Sequence, residues 1–128
     1  MAKICIFEEG TELALNLKKS LESLDFDVLL MTKHDNIVRE VKSLQPDLVL
    51  IDFVLKGIDG CEVLKLLKKD AQTKKIPIVV YTSISEEIGY NIMMSCGAYD
   101  YIVKSDRPVK QCALMIKTIL NEVKHDSA

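Results

Sequence analysis

The sequence predicts an α/β domain built on a five-stranded parallel sheet with helices on both faces. Short apolar runs alternate five times with segments in which apolar residues recur every three or four positions. Strict alternation requires right-handed crossovers, which give a parallel sheet covered on both sides. The 128 residues, 48% of them hydrophobic and 28% charged, suffice for one domain with its own core.

Each predicted strand is a short apolar run, and each is followed by a helical stripe. The strands are predicted at residues 3–7, 26–31, 48–51, 78–82 and 99–104. Of the common orders for such sheets, five strands favour 2-1-3-4-5, the flavodoxin-like arrangement. The domain is predicted to cover residues 1–124, with a polar, disordered tail at residues 125–128.

Capping residues mark several of the predicted helix boundaries. Asp35 is the predicted N-cap of the second helix, and either Ser83 or Ser85 is the predicted N-cap of the fourth, where Ser83 with Glu86 fits a capping box. Gly97 is the predicted C-cap of the fourth helix. That helix is predicted to carry four residues together on one side: Ile88, Ile92, Met93 and Cys96.

Composition and charge exclude several functional classes. The net charge of −2 offers no basic surface for nucleic acid. No apolar run approaches the roughly 20 residues of a membrane span. The N-terminal segment MAKICIFEEG enters a strand without a signal-peptide layout, so a cytoplasmic location is expected.

The four cysteines are widely spaced and form no CxxC pair. Metal sites have close pairs of ligands, and disulfide scaffolds are shorter and denser in cysteine. We therefore expect Cys5, Cys61, Cys96 and Cys112 to be buried, reduced thiols. A redox or ligand role is the alternative.

Polar side chains follow four of the predicted strands where each strand ends. Glu8 and Glu9 follow the first strand, Asp52 the third, Thr82 ends the fourth and Lys104 ends the fifth. Parallel strands end at one edge, and ligands bind there at the switch point of the strand order. Asp52 also interrupts an apolar run, where a carboxylate costs free energy unless it is paired.

Three carboxylates that converge at one edge repel one another, and a hard divalent cation such as Mg²⁺ relieves the repulsion. Asp52 then becomes a usable nucleophile for a phosphoryl group. Mg²⁺, the Lys104 ammonium and the Thr82 hydroxyl could each neutralise one phosphoryl oxygen. Taken singly, these residues have ordinary interpretations as turn, cap or solvent residues. Their coincidence on one edge favours a joint site.

Four segments carry a resemblance to a known family: KICIFEE, PDLVLIDFVLKGIDG, PIVVYTS and GAYDYIVK. Along essentially its whole length the chain resembles a receiver domain of two-component response regulators. The resemblance implies that Asp52 is the phosphoacceptor and that Lys104 binds the phosphate. It implies that Thr82 is the switch hydroxyl and Tyr101 the switch aromatic. It also implies a Mg²⁺ site made by three carboxylates and one backbone carbonyl: Glu8, Glu9, Asp52 and the carbonyl of Val54.

The resemblance further implies partners and a mode of action. The phosphoryl donor is expected to be a histidine kinase or a histidine phosphotransfer protein. A downstream protein is expected on the face formed by the fourth helix, fifth strand and fifth helix, where Met94 is expected to be exposed and where a homodimer is possible. No enzymatic activity is expected beyond self-phosphotransfer and slow self-dephosphorylation. A stand-alone regulator and a piece of a longer chain both remain open.

The sequence departs from the family pattern at several positions of the site. Glu9 replaces the usual Asp, and Lys56 and Ser105 replace usual prolines, so a trans peptide bond is expected before Ser105. Val54 and Ile84 stand where family members control water access, and neither can orient an attacking water. These departures keep open an alternative, a phosphorylation-independent pseudo-receiver that acts only as a protein-interaction module.

Two enzyme classes fit the sequence poorly. A flavodoxin needs a phosphate-cradling loop after the first strand, where Glu8 and Glu9 repel phosphate. A phosphatase of the haloacid dehalogenase type needs a second Asp two residues after the nucleophile, where Val54 stands.

Overall fold

The computed structural model describes residues 1–127, with side chains through Lys124. The strands are β1 Lys3–Phe7, β2 Asp27–Met31, β3 Leu48–Ile51, β4 Val54–Leu55, β5 Ile58–Asp59, β6 Ile78–Thr82 and β7 Asp100–Val103. The helices are α1 Thr11–Glu22, α2 Ile37–Leu44, α3 Gly60–Lys69, α4 Glu86–Cys96 and α5 Val109–Ser127.

The main sheet has five parallel strands in the order β2-β1-β3-β6-β7. This confirms the predicted order, because β6 and β7 are the fourth and fifth strands of the main sheet. The segment after β3 adds a small antiparallel hairpin, β4 with β5, that the sequence did not predict. Gly57 lies in its turn with a φ of 75°, a conformation that glycine adopts without steric cost.

The side chains of the central strands alternate between two cores, as the pleat of a sheet requires. Val49 and Ile51 face the core covered by α2, α3 and α4. Leu48 and Leu50 face the core covered by α1 and α5. β3 is therefore buried on both faces, which explains its continuous apolar run.

One predicted helix start is wrong, and for α4 one of the two predicted caps is right, since Ser85 is its N-cap. Asn36, not Asp35, is the N-cap of α2, and its Oδ1 accepts a hydrogen bond from the Arg39 N–H at 3.1 Å. The capping box before α4 does not form, because α4 begins only after Ser85, which makes no side-chain cap bond. The predicted C-cap is confirmed: Gly97 follows α4 with a φ of 115°.

The predicted apolar side of α4 is right for Met93 and Cys96, which are buried, and wrong for Ile88 and Ile92. Ile88 is 66% exposed and Ile92 is 48% exposed. The inward side of α4 carries Gly89, Met93 and Cys96. The Tyr101 side chain on β7 occupies the space in front of Gly89, so only a residue without a Cβ fits at this inward position.

The expectation of four reduced cysteines holds for only two of them. Cys5 and Cys112 are buried free thiols, whereas Cys61 and Cys96 are joined by a disulfide. Cys61 lies in the first turn of α3 and Cys96 is the last residue of α4. The two helices pack side by side, which brings the Cα atoms of the pair to 5.4 Å, within the usual range for a disulfide.

The described residues contain no helix long and apolar enough to cross a membrane. The backbone of α5 continues to Ser127. The tail predicted at 125–128 falls on positions whose side chains, and for Ala128 the backbone as well, lie outside the described residues. The domain boundary at residue 124 therefore stays a prediction.

Candidate functional site at the carboxyl edge of the sheet

The ammonium of Lys104 joins two carboxylates at the carboxyl edge of the main sheet. Its Nζ lies 2.6 Å from Oε1 of Glu8 and 2.8 Å from Oδ2 of Asp52. The three residues follow β1, β3 and β7, so the parallel strands place them at one edge. Three of the predicted site residues therefore lie in direct contact.

Asp52 is 8% exposed and all its described hydrogen bonds are local to this edge. Its own N–H donates to the Phe7 carbonyl at 3.2 Å, which extends the pairing of β3 with β1. Its Oδ1 accepts the N–H of Val54 at 3.1 Å, while Oδ2 faces Lys104. The pairing resolves the problem of an acid within an apolar run, because both oxygens have partners.

Glu8 and Glu9 diverge, although they are adjacent in sequence. Glu8 is half-buried, and its Oε2 accepts the N–H of Gly10 at 2.9 Å. Glu9 is exposed, and its Oε1 accepts the backbone N–H of Lys56 in the β4–β5 hairpin. Glu9 thus holds the hairpin that follows Asp52 instead of joining Glu8 and Asp52.

The predicted metal ligands are accordingly not clustered. Among the described side chains, which end at Lys124, no three or more His, Cys, Asp or Glu are grouped closely enough to hold a metal ion. Carboxylate oxygens are nevertheless the ligands that a hard cation prefers. Those of Glu8 and Asp52 already converge on one positive charge, the Lys104 ammonium. Glu9 lies within the same edge and would have to release the Lys56 amide to join them.

Thr82 and Tyr101 both bind the backbone of Ile84. The N–H of Ile84 donates to Oγ1 of Thr82 at 3.4 Å, and the Tyr101 hydroxyl donates to the Ile84 carbonyl at 2.9 Å. Thr82 is fully buried and Tyr101 is 4% exposed. The loop between β6 and α4 is therefore held from two sides, by the end of β6 and by β7.

Burial and charge change the proton affinities in the site. Burial by itself lowers the pKa of Lys104, but its hydrogen bonds to Asp52 and Glu8 outweigh burial and the pKa is raised overall. The pKa of Tyr101 is raised, first by burial and then by the negative charges of Asp52 and Glu86. The Lys104 ammonium and the Tyr101 phenol therefore keep their protons at neutral pH.

Two features of the site were not predicted from the sequence. One is the pair of contacts by which the Ile84 backbone joins Thr82 to Tyr101, since no side-chain pattern signals a contact made by a peptide group. The other is Gly89 on α4, where an added Cβ would lie 2.0 Å from the Tyr101 hydroxyl oxygen. A glycine inside a predicted helix was the available signal for such a close approach.

All described peptide bonds are trans, as predicted before Ser105.

A family model described as the response regulator receiver domain matches residues 4–115. The chain belongs to the response regulator receiver family. The match runs from the second residue of β1 into the first third of α5, so it includes every predicted residue of the site.

Known proteins similar to this receiver domain include a curated relative and solved structures. It is 34% identical over 103 residues to the phosphate regulon transcriptional regulatory protein PhoB of Klebsiella pneumoniae, a match that covers 80% of this chain and 44% of PhoB. The chain thus spans less than half the length of that relative. The BeF3-activated N-terminal receiver domain of K. pneumoniae RstA is 28% identical with a TM-score of 0.78, over 94% of this chain and 97% of that one.

A third likeness concerns the fold alone. The receiver domain of a sensor histidine kinase from Pseudomonas aeruginosa PAO1 has a TM-score of 0.79 at 21% identity, covering 94% of this chain and 95% of that one. That structure has a magnesium ion coordinated in its active-site cleft.

Proposed function

We propose that this receiver domain accepts a phosphoryl group on Asp52 and thereby switches a protein-binding face. The observation that supports this most directly is the contact of the Lys104 ammonium with Asp52 at 2.8 Å and with Glu8 at 2.6 Å. A cation beside the acceptor carboxylate is what a phosphoryl group needs when it adds negative charge to that place.

The transfer requires little of the protein besides position and charge. The phosphohistidine of a histidine kinase, or of a histidine phosphotransfer protein, is the donor. The P–N bond to the imidazole breaks, a P–O bond to a carboxylate oxygen of Asp52 forms, and the imidazole nitrogen keeps the electron pair. Lys104 then pairs with a phosphoryl oxygen, and the Thr82 hydroxyl donates to another.

A divalent cation, Mg²⁺, would supply further charge neutralisation of the phosphoryl oxygens when bound. Glu8, Asp52, Glu9 and the carbonyl of Val54 would hold it. Glu9 joins this set only by giving up the Lys56 amide, so the ligand set and the β4–β5 hairpin are coupled. The magnesium-bound Pseudomonas receiver domain supports this choice of ion.

The switch passes through Ile84. When the Thr82 hydroxyl turns to the phosphoryl group, it stops accepting the Ile84 N–H, and the loop that Tyr101 also holds is released on that side. Tyr101 and α4 then adjust together. The face of α4, β7 and α5 presents exposed apolar side chains at Ile88 and Ile92, which suits a downstream protein partner or a second copy of the chain.

No chemistry on other substrates is proposed. The domain transfers a phosphoryl group to itself and loses it slowly to water, because the exposed Val54 and the half-buried Ile84 offer no group that orients a water molecule.

The test is phosphorylation by acetyl phosphate with Mg²⁺, followed by intact-protein mass. The wild-type chain should gain one phosphoryl group, and Asp52→Asn should gain none. Asp59→Asn is the matched control, because Asp59, the last residue of the β4–β5 hairpin, caps α3, and Asn caps a helix about as well as Asp. A wild-type chain that gains no mass while folded would leave the pseudo-receiver, which never takes phosphate, as the function.

A further inference from the structure

We propose that Cys61 and Cys96 are a reversible dithiol–disulfide switch that, when oxidised, restrains α4. The chemical site stands by itself, whereas its effect on signalling rests on the proposed function. The disulfide closes a 35-residue separation and joins the first turn of α3 to the last residue of α4. Nothing in the predicted phosphoryl chemistry uses either sulfur.

The two cysteines differ in access, as an exchanging pair should. Cys61 is half-buried and lines an open surface cavity of about 300 Å³, whose charged residues are Asp59, Glu62, Lys65 and Lys69. It lies in the N-terminal turn of a ten-residue helix, next to Gly60, which adds no side chain over it. Cys96 is only 6% exposed, so a reagent from solution meets Cys61 first.

The other two cysteines are internal contrasts. Cys5 and Cys112 are fully buried. Burial raises the pKa of the Cys5 thiol to about 11 and that of Cys112 to about 12. Both therefore stay protonated and shielded under conditions in which Cys61 reacts.

A low-molecular-weight disulfide, such as glutathione disulfide, supplies the oxidising equivalents. The Cys61 thiolate attacks one sulfur of the reagent, forms a mixed disulfide and expels one thiolate. The Cys96 thiolate then attacks the Cys61 sulfur and expels the second thiolate. The two protein thiols lose two electrons and two protons, and one reagent disulfide becomes two thiols. A dithiol reductant reverses the sequence.

The disulfide joins α4 to the first turn of α3, and that turn begins close to the segment that follows the phosphoacceptor. A Cβ on Gly60, the residue before Cys61, would lie 3.3 Å from the Phe53 carbonyl oxygen and 3.5 Å from Cε of Met93. Phe53 follows the acceptor Asp52, and Met93 lies one turn before Cys96 on α4. The covalent bond therefore ties the C-terminal turn of α4 to the first turn of α3, which itself packs near Phe53, so oxidation should limit how far α4 moves relative to α3.

The chemical site is tested by redox titration with glutathione and intact-protein mass. The wild-type chain should lose two hydrogens on oxidation, and Cys112→Ala should do the same. Cys61→Ser and Cys96→Ala should each fail to form the internal bond. The melting temperature of the oxidised wild type should exceed that of the reduced form by about 10 °C, as a loop of this length predicts. A chain that keeps four free thiols at every glutathione ratio would overturn the proposal.

The restraint on α4 is tested by amide hydrogen exchange in reduced and oxidised protein, with and without beryllofluoride and Mg²⁺. Oxidation alone should slow exchange in the last turn of α4 about tenfold or more. Beryllofluoride should change α4 exchange in the reduced form and clearly less in the oxidised form. Equal exchange in both redox states would overturn the restraint.

The two proposals fail in different ways. Reduced protein whose α4 exchange does not change with beryllofluoride, and which gains no phosphoryl mass from acetyl phosphate, would count against phosphorylation at Asp52. The effect of oxidation on amide exchange in α4 is measured without either reagent, so it supports or refutes the redox switch by itself.

Discussion

The hydroxyl oxygen of Tyr101 occupies the space in front of Gly89: a Cβ on this glycine would lie 2.0 Å from that oxygen and 2.7 Å from Cζ of the ring. The ring is held there by the bond from its hydroxyl to the Ile84 carbonyl and by an edge contact with Tyr90 at 6.1 Å between ring centres. The rotational setting of α4 and the inward position of Tyr101 therefore depend on each other.

Gly89→Ala tests this relationship, because helix propensity and packing should change the free energy of unfolding in opposite directions. Alanine should stabilise a helix interior by about 1 kcal/mol, whereas overpacking against Tyr101 should cost about 1–3 kcal/mol. We expect urea unfolding to show net destabilisation. In a Tyr101→Ala background the same change should become stabilising. Stabilisation by Gly89→Ala in the wild-type background would mean that Tyr101 does not lie inward.

Glu9→Asp should tighten Mg²⁺ binding. The Glu9 carboxylate must release the Lys56 N–H before it can serve as a ligand, and a hydrogen bond to a charged group contributes about 1.5–3 kcal/mol. Aspartate is shorter by one carbon–carbon bond of about 1.5 Å and cannot make the same bond to the hairpin. We expect about tenfold tighter binding by calorimetry.

Glu22→Asp, at the far end of α1, is the control for the Glu9 change and should leave the Mg²⁺ affinity as it is. Equal affinities of wild type and Glu9→Asp would show that the Lys56 contact does not oppose metal binding.

Val54→Asn combined with Ile84→Glu should shorten the lifetime of the phosphorylated chain by at least about tenfold. Each new side chain can hydrogen-bond a water molecule near the acyl phosphate, which the apolar residues cannot. The bonds from Ile84 to Thr82 and Tyr101 are made by its backbone, so the substitution leaves them available. Decay is followed by loss of phosphoryl mass after acetyl phosphate is removed. An unchanged lifetime in the double variant would refute the role of these positions.

The buried thiol of Cys112 should make the domain less stable in alkali. Burial raises its pKa from 9.0 to about 12, so above pH 9 the unfolded chain releases a proton that the folded chain retains. The stabilisation is fully present below pH 9 and is lost as the pH rises through about 12, by up to about 1.4 kcal/mol per pH unit. Urea unfolding from pH 8 to 11, with reductant present, measures the slope.

Cys112→Ala provides the comparison for that slope. Its small cavity should lower the free energy of unfolding by the same amount at every pH, and the decline above pH 9 should be shallower than in the wild type. Identical slopes would mean that the Cys112 thiol is not shielded from ionisation. Other groups with raised pKa values contribute to the remaining decline in both proteins: Cys5 (about 11), Tyr81 (about 12), Tyr101 and Lys104.

Much of the candidate site could be predicted from the residues that directly follow the predicted strands. Because a parallel sheet brings every carboxyl end to one edge, the positions of Glu8, Asp52 and Lys104 after three apolar runs predicted their meeting. Which carboxylate contacts which partner did not follow. Glu9 binds the Lys56 amide because residues 54–59 fold into a hairpin, and nothing in their periodicity indicates it.

The errors on α4 and the cysteines have a common physical origin. Ile88 and Ile92 have the spacing of an inward stripe, but the helix is turned so that Gly89 faces the Tyr101 ring, and a helix can rotate about its axis without changing its sequence pattern. Cys61 and Cys96 are distant in sequence, and only the packing of α3 on α4 makes them neighbours.

The sequence by itself determined the α/β class, the strand order and the set of polar residues at the carboxyl edge. Apolar runs and helical periods depend on residues that are close in sequence, and the handedness of a crossover follows from the chirality of the chain. The tertiary structure decided that Lys104 joins Asp52 to Glu8, that Glu9 turns to the hairpin, that Tyr101 lies against Gly89, and that two cysteines are bonded. Those outcomes depend on side-chain directions and helix rotations, which are set only when distant segments pack together.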